Sequence, residues 1–177
     1  MKYYIKKLVL YGFILFIAYL SLAYLMLHKD YAYERAQQNY VNGQVSANFL
    51  GHDTYSADER IRVRGSPYEL LLSIEQNLTT DYLVILKTVT LRKMYNKEIS
   101  FENKQEILKM PTREYNKTYP TYFSFKDLYL EYTPYLLYLE FSVRIGENIQ
   151  IEKLEIPIYP NYQEYYSNTL LDMIMSV

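Results

Sequence analysis

Twenty consecutive residues without a charge, Leu8 to Leu27 (LVLYGFILFIAYLSLAYLML), constrain this chain more than any other feature. A helix needs about 20 such residues to cross the hydrocarbon core of a bilayer. Tyr3, Tyr4 and Tyr24 lie near the two ends, where amphipathic rings suit the headgroup layer. Lys2, Lys6 and Lys7 precede the run, and all 20 acidic residues follow it. The positive-inside rule then places the N-terminus in the cytoplasm and the remainder across the membrane. The rival reading is a cleaved leader. Leu8–Leu20 would be its apolar region, and Ser21-Leu22-Ala23 offers small residues where a signal peptidase reads them. The continuation through Tyr24-Leu25-Met26-Leu27 exceeds the ~7–15 residues of such a region and favours a retained anchor. Residues 1–27 are therefore expected to form a cytoplasmic tip and a transmembrane helix.

Residues 28–43 (HKDYAYERAQQNYVNG) are rich in helix formers, among them Ala32, Glu34, Arg35, Ala36, Gln37 and Gln38. Gly43 is a natural helix stop. A juxtamembrane helical stalk is expected here.

Beyond Gly43 the apolar period becomes two. Val45, Ala47 and Phe49 alternate with polar neighbours, as do Tyr68, Leu70, Leu72 and Ile74, and then Tyr135, Leu137, Leu139, Phe141, Val143 and Ile145. Such alternation marks strands with one buried face. Leu83, Ile85, Val89 and Leu91 share one parity, with Lys87 out of place. Gly146-Glu147-Asn148 suits a hairpin turn. On its return strand the apolar parity slips between Ile151 and Leu154, which predicts a β-bulge near Glu152-Lys153. Residues 44–160 are expected to be an antiparallel β-sandwich, immunoglobulin-like in architecture, within a mainly β chain. Residues 161–177 read as a C-terminal tail.

Composition removes most chemistry. There is no Cys, and there are only two His and five Gly. Thiol nucleophiles, disulfides and cysteine-based metal sites are excluded, and phosphate-cradling loops are disfavoured. Nineteen Lys+Arg against 20 Asp+Glu argue against a nucleic-acid partner. His52-Asp53, with Asp58 and Glu59 nearby, has no second histidine or serine elbow at hand, so no catalytic residue, metal ligand or cofactor is assigned.

Two groups remain as candidate binding residues. Arg60, Arg62 and Arg64 alternate along one strand and would face an acidic partner or lipid headgroups; the simpler reading is a charged edge strand. Tyr159, Tyr162, Tyr165 and Tyr166 crowd a proline-marked segment, where tyrosine gives broad contact at low entropic cost. Strand propensity accounts for tyrosines elsewhere among the 23. The expected protein is a bacterial inner-membrane, single-pass, non-enzymatic one with a periplasmic β-sandwich that binds a protein. It would be an accessory subunit of an envelope complex or a membrane-tethered inhibitor of the immunity-protein kind. A lipid- or glycan-binding envelope module is the alternative. Oligomeric state is not legible.

Overall fold

The computed structural model describes residues 2–56, 58–76, 82–111, 113, 114, 117, 118 and 120–168. One helix, α1 (Lys2–Ala23), precedes thirteen strands among the described residues. These are β1 (Leu25–Tyr33), β2 (Ala36–Tyr40), β3 (Gly43–Ser56), β4 (Ile61–Gln76), β5 (Leu83–Lys93), β6 (Ile99–Asn103) and β7 (Ile107–Lys109), followed by β8 (Arg113–Glu114), β9 (Lys117–Thr118), β10 (Thr121–Leu128), β11 (Tyr135–Ile145), β12 (Asn148–Ile158) and β13 (Pro160–Asn168). The chain divides into two compact units. The smaller holds Met1–Asp30, Asp53–Arg64 and Gln163–Val177, the larger Tyr31–His52 and Gly65–Tyr162.

Two sheets account for nearly all the strands. The first has the order β13-β1-β4-β3-β2, with β10 also on β4; the second has the order β12-β11-β5-β6, with β7 also on β5. Strand β4 takes two neighbours in succession, β1 at Ile61–Arg64 and β10 between Tyr68 and Ile74. The β1–β4 pairing is parallel, so the sheet is mixed and not wholly antiparallel as expected. Among the described residues strands β8 and β9 pair only with each other.

The core lies within the larger unit. From the first sheet come Val45, Ala47, Phe49, Tyr68, Leu70, Leu72, Ile74 and Phe123; from the second come Val84, Leu86, Val89, Leu91, Leu137, Leu139, Phe141, Leu154, Ile156 and Ile158. Rings meet between the two sets: Tyr40 against Phe141 at 5.3 Å, and Phe101 against Phe125 at 5.4 Å. This is the face-to-face arrangement of a sandwich-like body, and each fully buried large side chain contributes about 1.5–3 kcal/mol.

Several expectations need correction. The helix stops at Ala23, and Tyr24–Leu27 are not helical, because β1 takes up the chain at Leu25 and secures Leu27 N to Arg60 O at 3.0 Å. The uncharged part of α1, Leu8–Ala23, is thus roughly 24 Å long. Among the described residues no helix is long and apolar enough to cross a membrane. The expected stalk, residues 28–43, is the rest of β1, then β2 and a turn into β3. Alternating Tyr31 and Tyr33 with strand partners outweigh local helix propensity there. Gly43 ends no helix. A Cβ there would stand 1.9 Å from the Glu75 carbonyl oxygen, so close backbone approach is what requires glycine.

The bulge also lies elsewhere. Strands β11 and β12 stay in continuous register from Tyr135↔Ile158 to Ile145↔Asn148, so the bulge expected at Glu152-Lys153 is absent. Ile149 and Ile151 simply face outward, 54% and 56% exposed, while Gln150 and Glu152 turn inward and bond to each other. The irregularity is in β5: Glu140 pairs with Thr88 and Phe141 with Leu86, leaving Lys87 as the extra residue. That explains why Lys87 breaks the parity, and why Val84 and Leu86 are buried in place of Leu83 and Ile85. The hairpin turn is where it was expected but one residue shorter, Gly146–Glu147, with Gly146 at φ +59° and Asn148 already in β12. The tail begins as a strand: residues 160–168 are β13 and hydrogen-bond beside β1, while residues 169–177, like the loop Asn77–Asp81, lie outside the described residues.

Lys93 ties two connections together, reaching Glu98 and Glu131 at 2.9 Å each. Its ammonium, with Asn96, holds the Glu98 carboxyl below the ordinary carboxylate range. A depressed folded value contributes stability above the unfolded pKa and loses it as pH falls through the folded one. NMR titration should therefore place Glu98 below an ordinary glutamate, and Lys93→Met should raise it. Phe141→Ala should cost about 3–5 kcal/mol in denaturant melts. Gly43→Ala should cost about 1–3 kcal/mol through overpacking, whereas Ile151→Ser should be close to neutral.

Candidate functional site

One row of side chains in the smaller unit draws on four adjacent strands. The β1–β4 register sets His28 beside Arg62 and Asp30 beside Arg64. On the far side of β1, the Tyr165 ring of β13 stacks on His28, with centroids 4.7 Å apart and planes 5° from parallel. His28 Nε2 and Ser167 Oγ share a hydrogen bond of 2.7 Å. On the far side of β4, Arg62 donates to Asp53 Oδ2 of β3 at 2.6 Å. Tyr165, His28, Arg62 and Asp53 thus stand in strand order β13-β1-β4-β3. Together with Lys29, Asp30 and Arg64 they line a shallow polar depression of about 230 Å³.

Each position has a local cause. Alternate residues of a strand share a face, so His28 and Asp30 face the same way, as do Arg62 and Arg64. The parallel pairing then makes two rows, one step apart along the strands. Arg64 stands 4.0 Å from Asp30 Oδ2, while Asp30 Oδ1 is buried with no hydrogen-bond partner. The hydrogen bond to Asp53, then its charge, raises the Arg62 guanidinium above its ordinary value. Lys29, Arg62 and Arg64 against Asp30 and Asp53 leave the depression a small cationic excess.

Three of the expected binding residues, Arg62, Arg64 and Tyr165, are brought together here. Arg60 is not on the strand with them. It sits in the preceding turn at φ +53°, its carbonyl accepting from Leu27. Tyr162 and Tyr166 lie in β13 and Tyr159 just before it, a strand where a loop beyond the last strand was expected. Tyr162 meets Tyr31 at 5.0 Å within the larger unit. Tyr159 lends its carbonyl to Glu34 N at 2.9 Å, and both Tyr159 and Tyr166 are exposed. His28, Lys29 and Asp30 were missed because residues 28–43 read as a stalk; the alternation of Tyr31 and Tyr33 was the available signal.

Two other depressions among the described residues weigh less. His52 lines one of about 250 Å³ with Leu50, Pro67, Glu69, Lys126 and Asp127, apart from Asp53, its neighbour in sequence. Adjacent strand residues point to opposite faces, so His52-Asp53 does not converge as an acid–base pair. A wider groove of about 470 Å³ on the second sheet carries Arg92, Lys104 and Lys153 against Glu102, Glu140 and Glu155. Lys104–Glu102 at 2.9 Å and Lys153–Glu140 at 3.1 Å neutralise it internally.

Chemically, the row offers guanidinium forks, an imidazole edge and a phenol on an open surface. Among the described residues no group of three or more His, Asp or Glu could hold a metal. No family model, curated protein or solved structure matches this chain.

The Arg62–Asp53 pair is half exposed, and such pairs contribute only about 0–1 kcal/mol. Asp53→Asn should therefore lower the thermal midpoint little. A loss of several kcal/mol would assign the pair a structural role instead.

Proposed function

We propose that this chain is a membrane-delivered, non-enzymatic recognition protein. Its β body lies outside the cytoplasm and binds an acidic face of a protein partner through Arg62, Arg64, His28 and Tyr165. The observation that carries the reading is the convergence of two arginines and a stacked aromatic pair on one exposed row. Arg and Tyr are the residue types that dominate interface energetics. The carboxylates hold the guanidiniums in place ahead of binding, which lowers the ordering cost of association.

Delivery to a membrane rests on α1. From Leu8 onward it is apolar all round: Leu8, Leu15 and Leu22 are 76%, 70% and 69% exposed, and none of its described side chains is buried. An apolar surface of that extent in water is a liability unless lipid covers it. Lys2, Lys6 and Lys7 keep its N-terminal side in the cytoplasm. Accessory subunit of an envelope complex and inhibitor of the immunity-protein kind are the two roles that fit this organisation. The concavity and polar lining favour a second reading, a glycan or lipid-headgroup ligand.

The test is comparative affinity. A partner captured by the full-length protein from solubilised membranes should bind the paired variant Arg62→Ala, Arg64→Ala at least tenfold more weakly, since an interface anchor costs about 1–4 kcal/mol on truncation. Tyr165→Ser should weaken it too, and added salt should weaken the wild type. His52→Ala should bind as wild type does. Equal binding by the row variants, with loss in His52→Ala, would move the site to the Leu50–Glu69 depression.

A further inference from the structure

We infer that the chain is a precursor, cut between Ala23 and Tyr24 by a membrane-bound signal peptidase. The inference rests on the export reading above and names the processing step that completes it.

Four observations meet at that bond. First, the helix ends at Ala23 and β1 begins at Leu25, so the boundary between an apolar helix and an extended chain falls on the scissile bond. Signal peptidases read the short segment that follows the apolar helix of a leader, with small residues one and three positions before the cut. Second, Ser21 and Ala23 are those residues, and Lys2, Lys6 and Lys7 supply the basic region ahead of the helix. Third, Tyr24 is a turn residue and Leu25–Leu27 belong to β1, so these residues do not lengthen the apolar helix and the length argument for an anchor falls away. Fourth, among the described residues every buried core residue lies at Tyr33 or later, and none belongs to α1. The body keeps its core without the helix, and β1 stays whole, since the new chain would start one residue ahead of it.

The local barrier to cleavage is small. Tyr24 N donates to Leu20 O at 3.1 Å in the last turn of α1. Helix ends fray, and opening one turn extends Leu22–Tyr24 for a protease. The reaction is hydrolysis of one amide. Water oxygen bonds to the Ala23 carbonyl carbon, the C–N bond breaks, and both water protons end on nitrogen, leaving an Ala23 carboxylate and a Tyr24 ammonium. The products are the apolar helix, which stays in lipid, and a body freed of the exposed apolar side chains of that helix.

The experiment is expression of the full chain with a C-terminal tag in a Gram-negative bacterium, followed by intact mass, N-terminal sequencing and osmotic-shock fractionation. Beside it runs Ala23→Leu, which keeps helix propensity but places a bulky side chain at the cut. The expected result is a wild-type species beginning at Tyr24 in the periplasmic fraction. Ala23→Leu should accumulate uncut and membrane-bound, with its body accessible to protease in spheroplasts. A full-length wild-type species whose body is accessible in spheroplasts would overturn the cleavage and leave export standing. A full-length species protected in the cytoplasm would overturn both. Cleavage at any other bond, or unchanged cleavage in Ala23→Leu, would overturn the assignment of the site.

Discussion

Strand β1 has a hydrogen-bonding neighbour on each side, β13 and β4, and the arrangement of the recognition row depends on that. A chain leaving an apolar helix carries backbone groups that must find partners or water. Here they enter the interior of a sheet one residue after the helix ends. Because β1 runs parallel to β4, the register sets His28 against Arg62 and Asp30 against Arg64, two pairs that a slip of one residue would separate. Strand β13 then closes the other edge and brings Tyr165 onto His28.

The abundance of tyrosine divides into two physical uses. In the larger unit, Tyr33, Tyr68, Tyr132 and Tyr135 form a ring cluster with centroid spacings of 5.3–6.1 Å around Tyr33. Their hydroxyls donate to backbone carbonyls: Tyr33 and Tyr135 to Glu131, Tyr68 to Tyr31, and Tyr132 to Ala32. A phenol can fill a core and still satisfy irregular chain at its margin, which a phenylalanine cannot. Burial pushes the Tyr33 hydroxyl up, away from ionisation. Along β13 the rings are exposed instead, and there they serve as surface.

Much of the β body was legible because alternation is a direct imprint of a sheet with one buried face. The apolar positions of Tyr68–Ile74 and Tyr135–Val143 read correctly, while Ser142, whose alternation places it on the opposite face, is buried as well. The errors arose where a local signal competed with a long-range one. Residues 28–43 carry good helix formers, yet pairing decides their state: β1 pairs with β4, 34 residues on, which leaves no local trace, and β2 turns back on β3 as a hairpin. The parity slip in β12 suggested a bulge, but the strand tolerates inward Gln150 and Glu152 because Gln150 donates to Glu152 and accepts from Asn42. The actual bulge, at Lys87, was visible as a charge out of phase. Of the site, Arg62, Arg64 and Tyr165 were identifiable by type; their convergence with His28 required knowing that β1 is a strand.

The position of β1 is the claim on which the row, the helix boundary and the recognition reading all rest, and amide hydrogen exchange on the full-length protein in detergent measures it most directly. Protected amides in β1 between Leu27 and Tyr33, together with strand-like chemical shifts, are the predicted result. Free-chain exchange rates over these residues, or helical shifts continuing from Ala23 toward Gly43, would contradict it.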